Sequence, residues 1–148
     1  MIALLQRVRD AKVSIEGNTA GQIDHGLLIL LGVFEEDDKD DADYLVDKSA
    51  NLRIFNDEDD KMNLSAKDVG GSVLVVSQFT LCADTRKGRR PSYINAADPE
   101  KADRLYEYFI AQMRNQGLPV ESGEFGAMMD VHLVNEGPVT IILDSRNR

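Results

Sequence analysis

A chain of 148 residues, 43% apolar and 29% charged, can bury a core without disulfide staples. No stretch approaches the roughly 18 apolar residues that a membrane-spanning helix needs. The net charge of −9 argues against nucleic-acid binding by the surface as a whole, and the single cysteine, Cys82, excludes an internal disulfide and points to a reducing compartment, the cytoplasm.

The opening, MIALLQRVRDAKVSIEG, has too short an apolar part and no cleavage signature for a signal peptide. Residues 2–15 are expected as a long strand. Leu4, Gln6 and Val8 share one parity and Ala11, Val13 and Ile15 the other, so a bulge or bend is expected near Arg9-Asp10. EGNTAGQIDHG supplies turn residues around a short second strand. LLILLGV (27–33) is a continuous apolar run of strand length, expected to be buried on both faces. A helix should begin among Asp37–Asp41, with Ala42, Leu45, Val46, Ser49 and Leu52 as its inner stripe. FNDEDDKMN predicts a loop and residues 73–80 a strand. Asp98 and Pro99 open a second helix, Ala102, Leu105, Tyr106, Phe109, Ile110 and Met113 form its apolar stripe, and Gly117 ends it. Two last strands are expected, 127–134 and 138–143, split by NEGP. Strands outnumber helices and do not alternate with them. The pattern predicts one α+β domain over 1–148: a mostly antiparallel or mixed, curled, barrel-like sheet with two main helices packed outside.

Charge is unevenly spread. Acids crowd into EEDDKDDAD (35–43) and NDEDDK (56–61), while Arg86, Lys87, Arg89 and Arg90 fall within TRKGRR (85–90). That basic loop is either a solvated surface loop or a local hold on a phosphate backbone.

The common catalytic constellations are missing. His25 and His132 are the only histidines, and neither has a metal-ligand spacing; no metal or cofactor site is expected. There is no nucleophile elbow and no phosphate-binding loop. His132 is expected as a half-buried structural residue, and Cys82 as a small core residue rather than a nucleophile. Two stretches remain unexplained by packing. On a strand, Ser77 and Phe79 would face one side and Gln78 and Thr80 the other. Such a strand end is either a sheet edge meeting water or the rim of a pocket, where hydroxyls and freed N–H groups could form an oxyanion hole. In LVNEGPVTIILD (133–144) a proline interrupts a β pattern, as a hairpin turn, an edge or a bulge.

Together these residues carry a resemblance. MIALLQRV, LRIFNDEDDKMNLS (52–65), VSQFTLCADTRKGRRPSY (76–93), LYEYF (105–109) and NEGPVTIILDS (135–145) make the chain similar, over nearly its whole length, to the D-aminoacyl-tRNA deacylases. Both family signatures, SQFTL and N-x-G-P-V-T, are intact. The resemblance implies that family's fold. It implies hydrolysis of the ester joining a D-amino acid to the 3′ end of tRNA, by a homodimer with two active sites at the interface. Ser77, Gln78, Phe79 and Thr80 would line the site for the aminoacyl-adenosine end. Gly137 and Pro138 would be a Gly-cisPro motif that reaches into the partner's site and excludes L-residues, with Arg7 bracing it. The basic residues 86–90 would meet tRNA phosphates. Glycine has no side chain to reject, so glycyl-tRNA should be cleaved to some degree. Thr80 is the nucleophile candidate, but no base is evident beside it. A protein that positions water and substrate is therefore the expectation. A nucleic-acid-binding module without catalysis, and a hydrolase of another acyl ester or thioester, are the rival readings.

Overall fold

The computed structural model describes residues 1–148. In chain order the elements are β1 (Ile2–Ile15), β2 (Asn18–Ile23), β3 (Gly26–Gly32), α1 (Lys39–Asn51), β4 (Phe55–Asn56), β5 (Met62–Leu64), β6 (Ser72–Ser77), α2 (Pro99–Asn115), β7 (Val120–Ser122) and β8 (Asp130–Asp144). Short 3-10 turns follow β6 (Phe79–Cys82) and β8 (Ser145–Asn147). The main sheet runs β2-β1-β3-β6-β7, with β8 on the far side of β1. β1 is antiparallel to β2, β3 and β8, whereas β3–β6 and β6–β7 are parallel. The fold is the expected α+β arrangement with a mixed, curled sheet. Its curl nearly closes a barrel: a Cβ built on Gly21 of β2 would lie 2.6 Å from the Ser122 carbonyl oxygen of β7, so only glycine lets the two strands approach there.

The sheet separates two apolar clusters. Ala3, Leu5, Leu27, Ile29, Leu31, Val73 and Val75 pack under the helices. Val8, Ala11, Val13, Leu28, Leu74 and Val76 fill the inside of the curl. β3 and β6 are therefore buried on both faces, which is why their sequences read as unbroken apolar runs. β1 crosses from one cluster to the other. Between Val8 and Ala11 it advances three residues while β8 advances two, Asn135 to Leu133. The extra residue is the bulge expected near Arg9-Asp10, and both of those residues are exposed.

Asp38 caps α1 in a reciprocal box: its carboxylate accepts from the N–H of Asp40 (2.9 Å) and Asp41, and Asp41 accepts from the Asp38 N–H (3.0 Å). Ala42, Leu45, Val46 and Ser49 are buried as expected; Leu52 is the half-buried C-cap. Asp98 caps α2 from the Lys101 N–H (3.1 Å), Pro99 takes the first position, and all six stripe residues are buried. The Tyr106 hydroxyl donates to the Val75 carbonyl (3.0 Å) and anchors α2 on β6; burial pushes its pKa up to about 12.

Several expectations need correction. β6 ends at Ser77 instead of reaching residue 80. The Gln78 N–H bonds the Leu31 carbonyl (2.8 Å), and the chain then turns, with the Leu81 N–H on the Gln78 carbonyl (3.2 Å). The two expected C-terminal strands are one strand, β8, because residues Glu136–Val139 leave the ladder after Asn135 and the strand rejoins it at Thr140 without reversing direction. The expected loop FNDEDDKMN (55–63) holds most of a small β4–β5 hairpin, whose second strand runs on to Leu64. His132 is exposed rather than half-buried.

Candidate active site

β3 and β6 run parallel, and a cavity of about 590 Å³ opens at their carboxyl ends. Leu31, Val33 and Val76 form its floor; Ser77, Gln78 and Phe79 enter from the turn that ends β6. Ala97, just ahead of α2, and Pro99 and Ala102 in its first turn border it, and the segment Phe125–Met129 closes the other side. Residues 127–129 were expected at the start of a strand. They instead precede β8 and serve as cavity lining, with Met128 90% exposed at the surface. The bracketing glycines in GEFGAMM were the only local signal of such an irregular stretch.

The site's chemistry is defined by what lines it. Eleven of fifteen lining residues are hydrophobic, and none is an acid, a base or a histidine. The polar groups are the Ser77 hydroxyl, the Gln78 amide and main-chain atoms. The Gln78 amide donates to the Thr80 hydroxyl, which is exposed and does not itself line the cavity. The hydrogen bonds of the 3-10 turn begin with Leu81 as donor, so the N–H groups of Phe79 and Thr80 have no partner in the turn itself. Phe79 is 55% exposed and meets Tyr93 edge-on at 4.9 Å. Cys82 lies behind the turn, 3% exposed, with its thiol donating to the Val33 carbonyl (3.4 Å). Burial, with Asp37 adding repulsion, pushes that thiol up to about 11. It is protonated at neutral pH and is no ready nucleophile.

The basic loop continues from this turn. Mutual backbone bonds between Asp84 and Ser92 (2.8 and 3.0 Å) pin its base. Arg86 forks onto the Asp84 carboxylate at 2.9 and 2.6 Å, and those bonds hold Asp84 down at about 2. The charge of Arg86 is thus matched locally; no such pair forms for Lys87, Arg89 or Arg90, which are exposed.

Gly137 and Pro138 do not line this cavity. Arg7 is the only β1 residue between Gln6, paired with Thr140, and Val8, paired with Asn135. Four residues of β8, Glu136–Val139, stand opposite it and project from the sheet. The Gly137–Pro138 peptide is cis, and Gly137 has a φ of +116°. Arg7 lies beneath, 7% exposed, donating to the Ile54 carbonyl (2.8 Å) and Asn56 Oδ1 (3.1 Å), with Nε 3.6 Å from the Glu136 carboxylate. His25 meets the same carboxylate at 3.1 Å and packs edge-on against Phe55. His25, Asn135 and Glu136 were not anticipated: they come from a turn and a strand more than a hundred residues apart, and no local pattern links them. No three His, Cys, Asp or Glu side chains converge as a metal would require, and no helix is long and apolar enough to cross a membrane.

Comparison with known proteins gives this arrangement a family. Residues 4–144 match the family described as D-Tyr-tRNA(Tyr) deacylase. D-aminoacyl-tRNA deacylase from Koribacter versatilis is 59% identical over 146 residues, spanning 99% of this chain and 98% of the relative. That from Thermosipho africanus is 58% identical with the same coverage. The solved structure of the c-Myc DNA unwinding element binding protein is 39% identical, with a TM-score of 0.91 over 97% of this chain and 98% of that one. A probable eukaryotic D-amino acid tRNA deacylase shares the fold at 15% identity, with a TM-score of 0.84 over 96% and 97% of the two chains. With its two signatures placed at a cavity mouth and at a projecting main-chain segment, the chain belongs to the D-aminoacyl-tRNA deacylases, hydrolases that act on D-aminoacyl-tRNA.

Proposed function

We propose that this hydrolase is a cytoplasmic homodimer whose active sites each combine the Ser77–Thr80 turn of one protomer with Gly137 and Pro138 of its partner. The observation that carries this reading is the separation of the two signatures within one chain. The cavity holds Ser77, Gln78 and Phe79, whereas Gly137 and Pro138 project from β8 and are absent from its lining. β8 also has a free edge, because it pairs only with β1. Exposed Val134 and Ile142 lie along it. An unpaired strand of this length is a ready surface for a second copy.

In the joined site, main-chain carbonyls of Gly137 and Pro138 accept from the substrate ammonium, and Phe79 and Thr80 N–H groups hold the ester carbonyl. With both ends fixed, the Cα substituent of a D-residue points to open space and that of an L-residue meets the protein. Main-chain atoms cannot change rotamer, so the site sorts by configuration and not by side-chain identity. Glycyl-tRNA, including glycine mischarged on tRNA(Ala), is cleaved because it offers nothing to reject. The cavity lining offers no general base, which favours water attack on an already activated ester, directed by the neighbouring ribose 2′-hydroxyl. The turn's donors stabilise the oxyanion. Lys87, Arg89 and Arg90 contact tRNA phosphates beyond the 3′ end, while Arg86 stays paired with Asp84.

Mixed dimers test the arrangement. One protomer carries Gln78→Ala and Thr80→Ala; the other carries Gly137→Ala. Neither homodimer should clear D-tyrosyl-tRNA efficiently. The mixed dimer should regain turnover, since one of its two sites joins an intact turn to an intact motif. Mixed dimers no more active than their parents would remove the shared-site reading. Release of free D-amino acid in the same assay separates hydrolysis from nucleic-acid binding alone, and comparison with small thioesters separates it from other acyl chemistry.

A further inference from the structure

The projecting segment Glu136–Val139 has to be held in place, because it makes no ladder bonds of its own opposite Arg7. One side chain ties its ends together. The Asn135 amide nitrogen donates to the Val139 carbonyl (3.0 Å), closing the segment from its first flank to its last residue. The same nitrogen donates to the Arg7 carbonyl (3.0 Å), which the strand pairing skips. The Asn135 amide oxygen accepts from Gln6 Nε2 (3.2 Å) and Thr140 Oγ1 (3.3 Å). Both donors and the acceptor are thus engaged, by three neighbours besides the segment itself. Only an amide of this length supplies two donors and an acceptor in one plane at that position. Aspartate has no donors, and alanine has neither.

We propose that Asn135 is the positioning residue of the stereoselective segment: its side-chain amide fixes where the Gly137 and Pro138 main chain stands relative to the sheet, and so sets the ratio of D- to L-substrate turnover. This rests on the reading that Gly137 and Pro138 select configuration. Arg7 holds the segment from below, and Asn135 holds its span. A segment attached only at Arg7 keeps its protein contacts but loses its fixed height above β1. A displacement of about 1 Å at such a group is enough to change rates by up to about a hundredfold. It acts oppositely on the two substrates. The D-substrate loses its ammonium acceptors, while the L-substrate gains room.

The experiment measures kcat/KM for D-tyrosyl-tRNA and L-tyrosyl-tRNA, per folded dimer, for the wild-type protein, Gly137→Ala, Asn135→Ala, Asn135→Asp and Thr140→Val. Asn135→Ala and Asn135→Asp should lower the D-to-L ratio about tenfold or more. Asn135→Asp is decisive because it keeps the acceptor oxygen and puts a repelling carboxylate oxygen where the amide donated to the Arg7 and Val139 carbonyls. Thr140→Val removes one acceptor contact at an exposed position, so it tests the clamp even if the Asn135 variants do not fold; it should lower the ratio several-fold less. A merely structural asparagine would reduce both turnovers together and leave the ratio unchanged, which overturns the proposal. If Gly137→Ala lowers the ratio and the Asn135 and Thr140 variants do not, only the role of Asn135 fails. If Gly137→Ala keeps the wild-type ratio, the reading beneath it fails as well.

Discussion

Arg7 sits directly under Gly137: a Cβ added at Gly137 would fall 3.0 Å from Arg7 Nη2. It would also fall 3.0 Å from the Val139 nitrogen and 2.9 Å from Val139 Cγ2, at a backbone φ of +116°. Arg7 cannot retreat, because Ile54 and Asn56 hold its other side. Gly137→Ala should therefore lift or twist the segment and cost about 1–3 kcal/mol of stability. Turnover of D-aminoacyl-tRNA should fall more steeply than this cost implies. Chemical denaturation and single-turnover deacylation, run on the same preparation, check both parts.

Asp84 and Arg86 give the basic loop an internal counter-charge. The carboxylate is held at about 2 by hydrogen bonds from Arg86, below its ordinary value. A depressed carboxylate pKa contributes stability above the unfolded value that disappears only as pH falls through the folded one. The pair therefore persists from neutral pH down to about 2. Arg86→Gln alone should change the salt dependence of tRNA binding little. Asp84→Asn should free the guanidinium and steepen the slope by about 0.7, the increment for one phosphate contact on a single strand. Neutralising Lys87, Arg89 and Arg90 should flatten it. Binding titrations across a salt series decide among these outcomes, and an unchanged slope in all variants removes the loop from the interface.

The helices were legible because their signals are local. Asp98-Pro99 and the six-residue apolar stripe of α2 lie within one stretch of chain, and a cap bond acts over three residues. The bulge in β1 was legible from parity alone, since a change of phase at Arg9-Asp10 moves side chains to the other face whatever the partner strand. The end of β6 was not. Val75, Val76 and Phe79 share strand propensity, but the turn at Gln78 is set by a bond to Leu31, far away in sequence. The same limit hid the NEGP excursion. A proline in a β pattern signals a break, but only pairing with β1 on both sides reveals that the strand resumes. The SQFTL signature pointed to Ser77, Gln78 and Phe79, which the fold brings to the cavity. Its base-free lining needed the fold, because half of it comes from α2 and residues 125–129.

Thr80 accepts a hydrogen bond from Gln78, and no acid or histidine lines the cavity to take its proton. Thr80→Val preserves shape and removes the hydroxyl. It should lower turnover by about tenfold or less, whereas loss of a true nucleophile should cost at least about a thousandfold. Mass spectrometry of a quenched reaction should find no acyl-enzyme. A trapped threonyl ester would replace the positioning mechanism with a covalent one.

Cys82 should matter to stability and not to chemistry. Its thiol titrates near 9.0 when free and at about 11 in the fold. Between those values the unfolded chain releases its proton first, so the residue's contribution is intact below pH 9 and lost as pH rises through 11. Denaturation at pH 8 and pH 10 should show a loss for the wild-type protein that is smaller for Cys82→Ala. The variant should keep turnover within about twofold, at a cost of about 1 kcal/mol for the vacated volume.

If the site is shared as proposed, the free edge of β8 would connect assembly to activity. Ile142 is 63% exposed and Val134 48% exposed on a strand whose other edge pairs with β1. A lone monomer would leave this strip in water and its cavity without Gly137 and Pro138. Ile142→Lys places a charge where a second strand would pack, and an inserted lysine is one of the devices that keep edges apart. Within the monomer the substitution costs little, because the side chain already faces solvent. The variant should therefore retain its far-ultraviolet circular dichroism but sediment as a monomer, with D-aminoacyl-tRNA turnover reduced at least about a hundredfold. A fully active monomer would show that each chain carries a complete site, and an intact dimer would move the interface away from this edge.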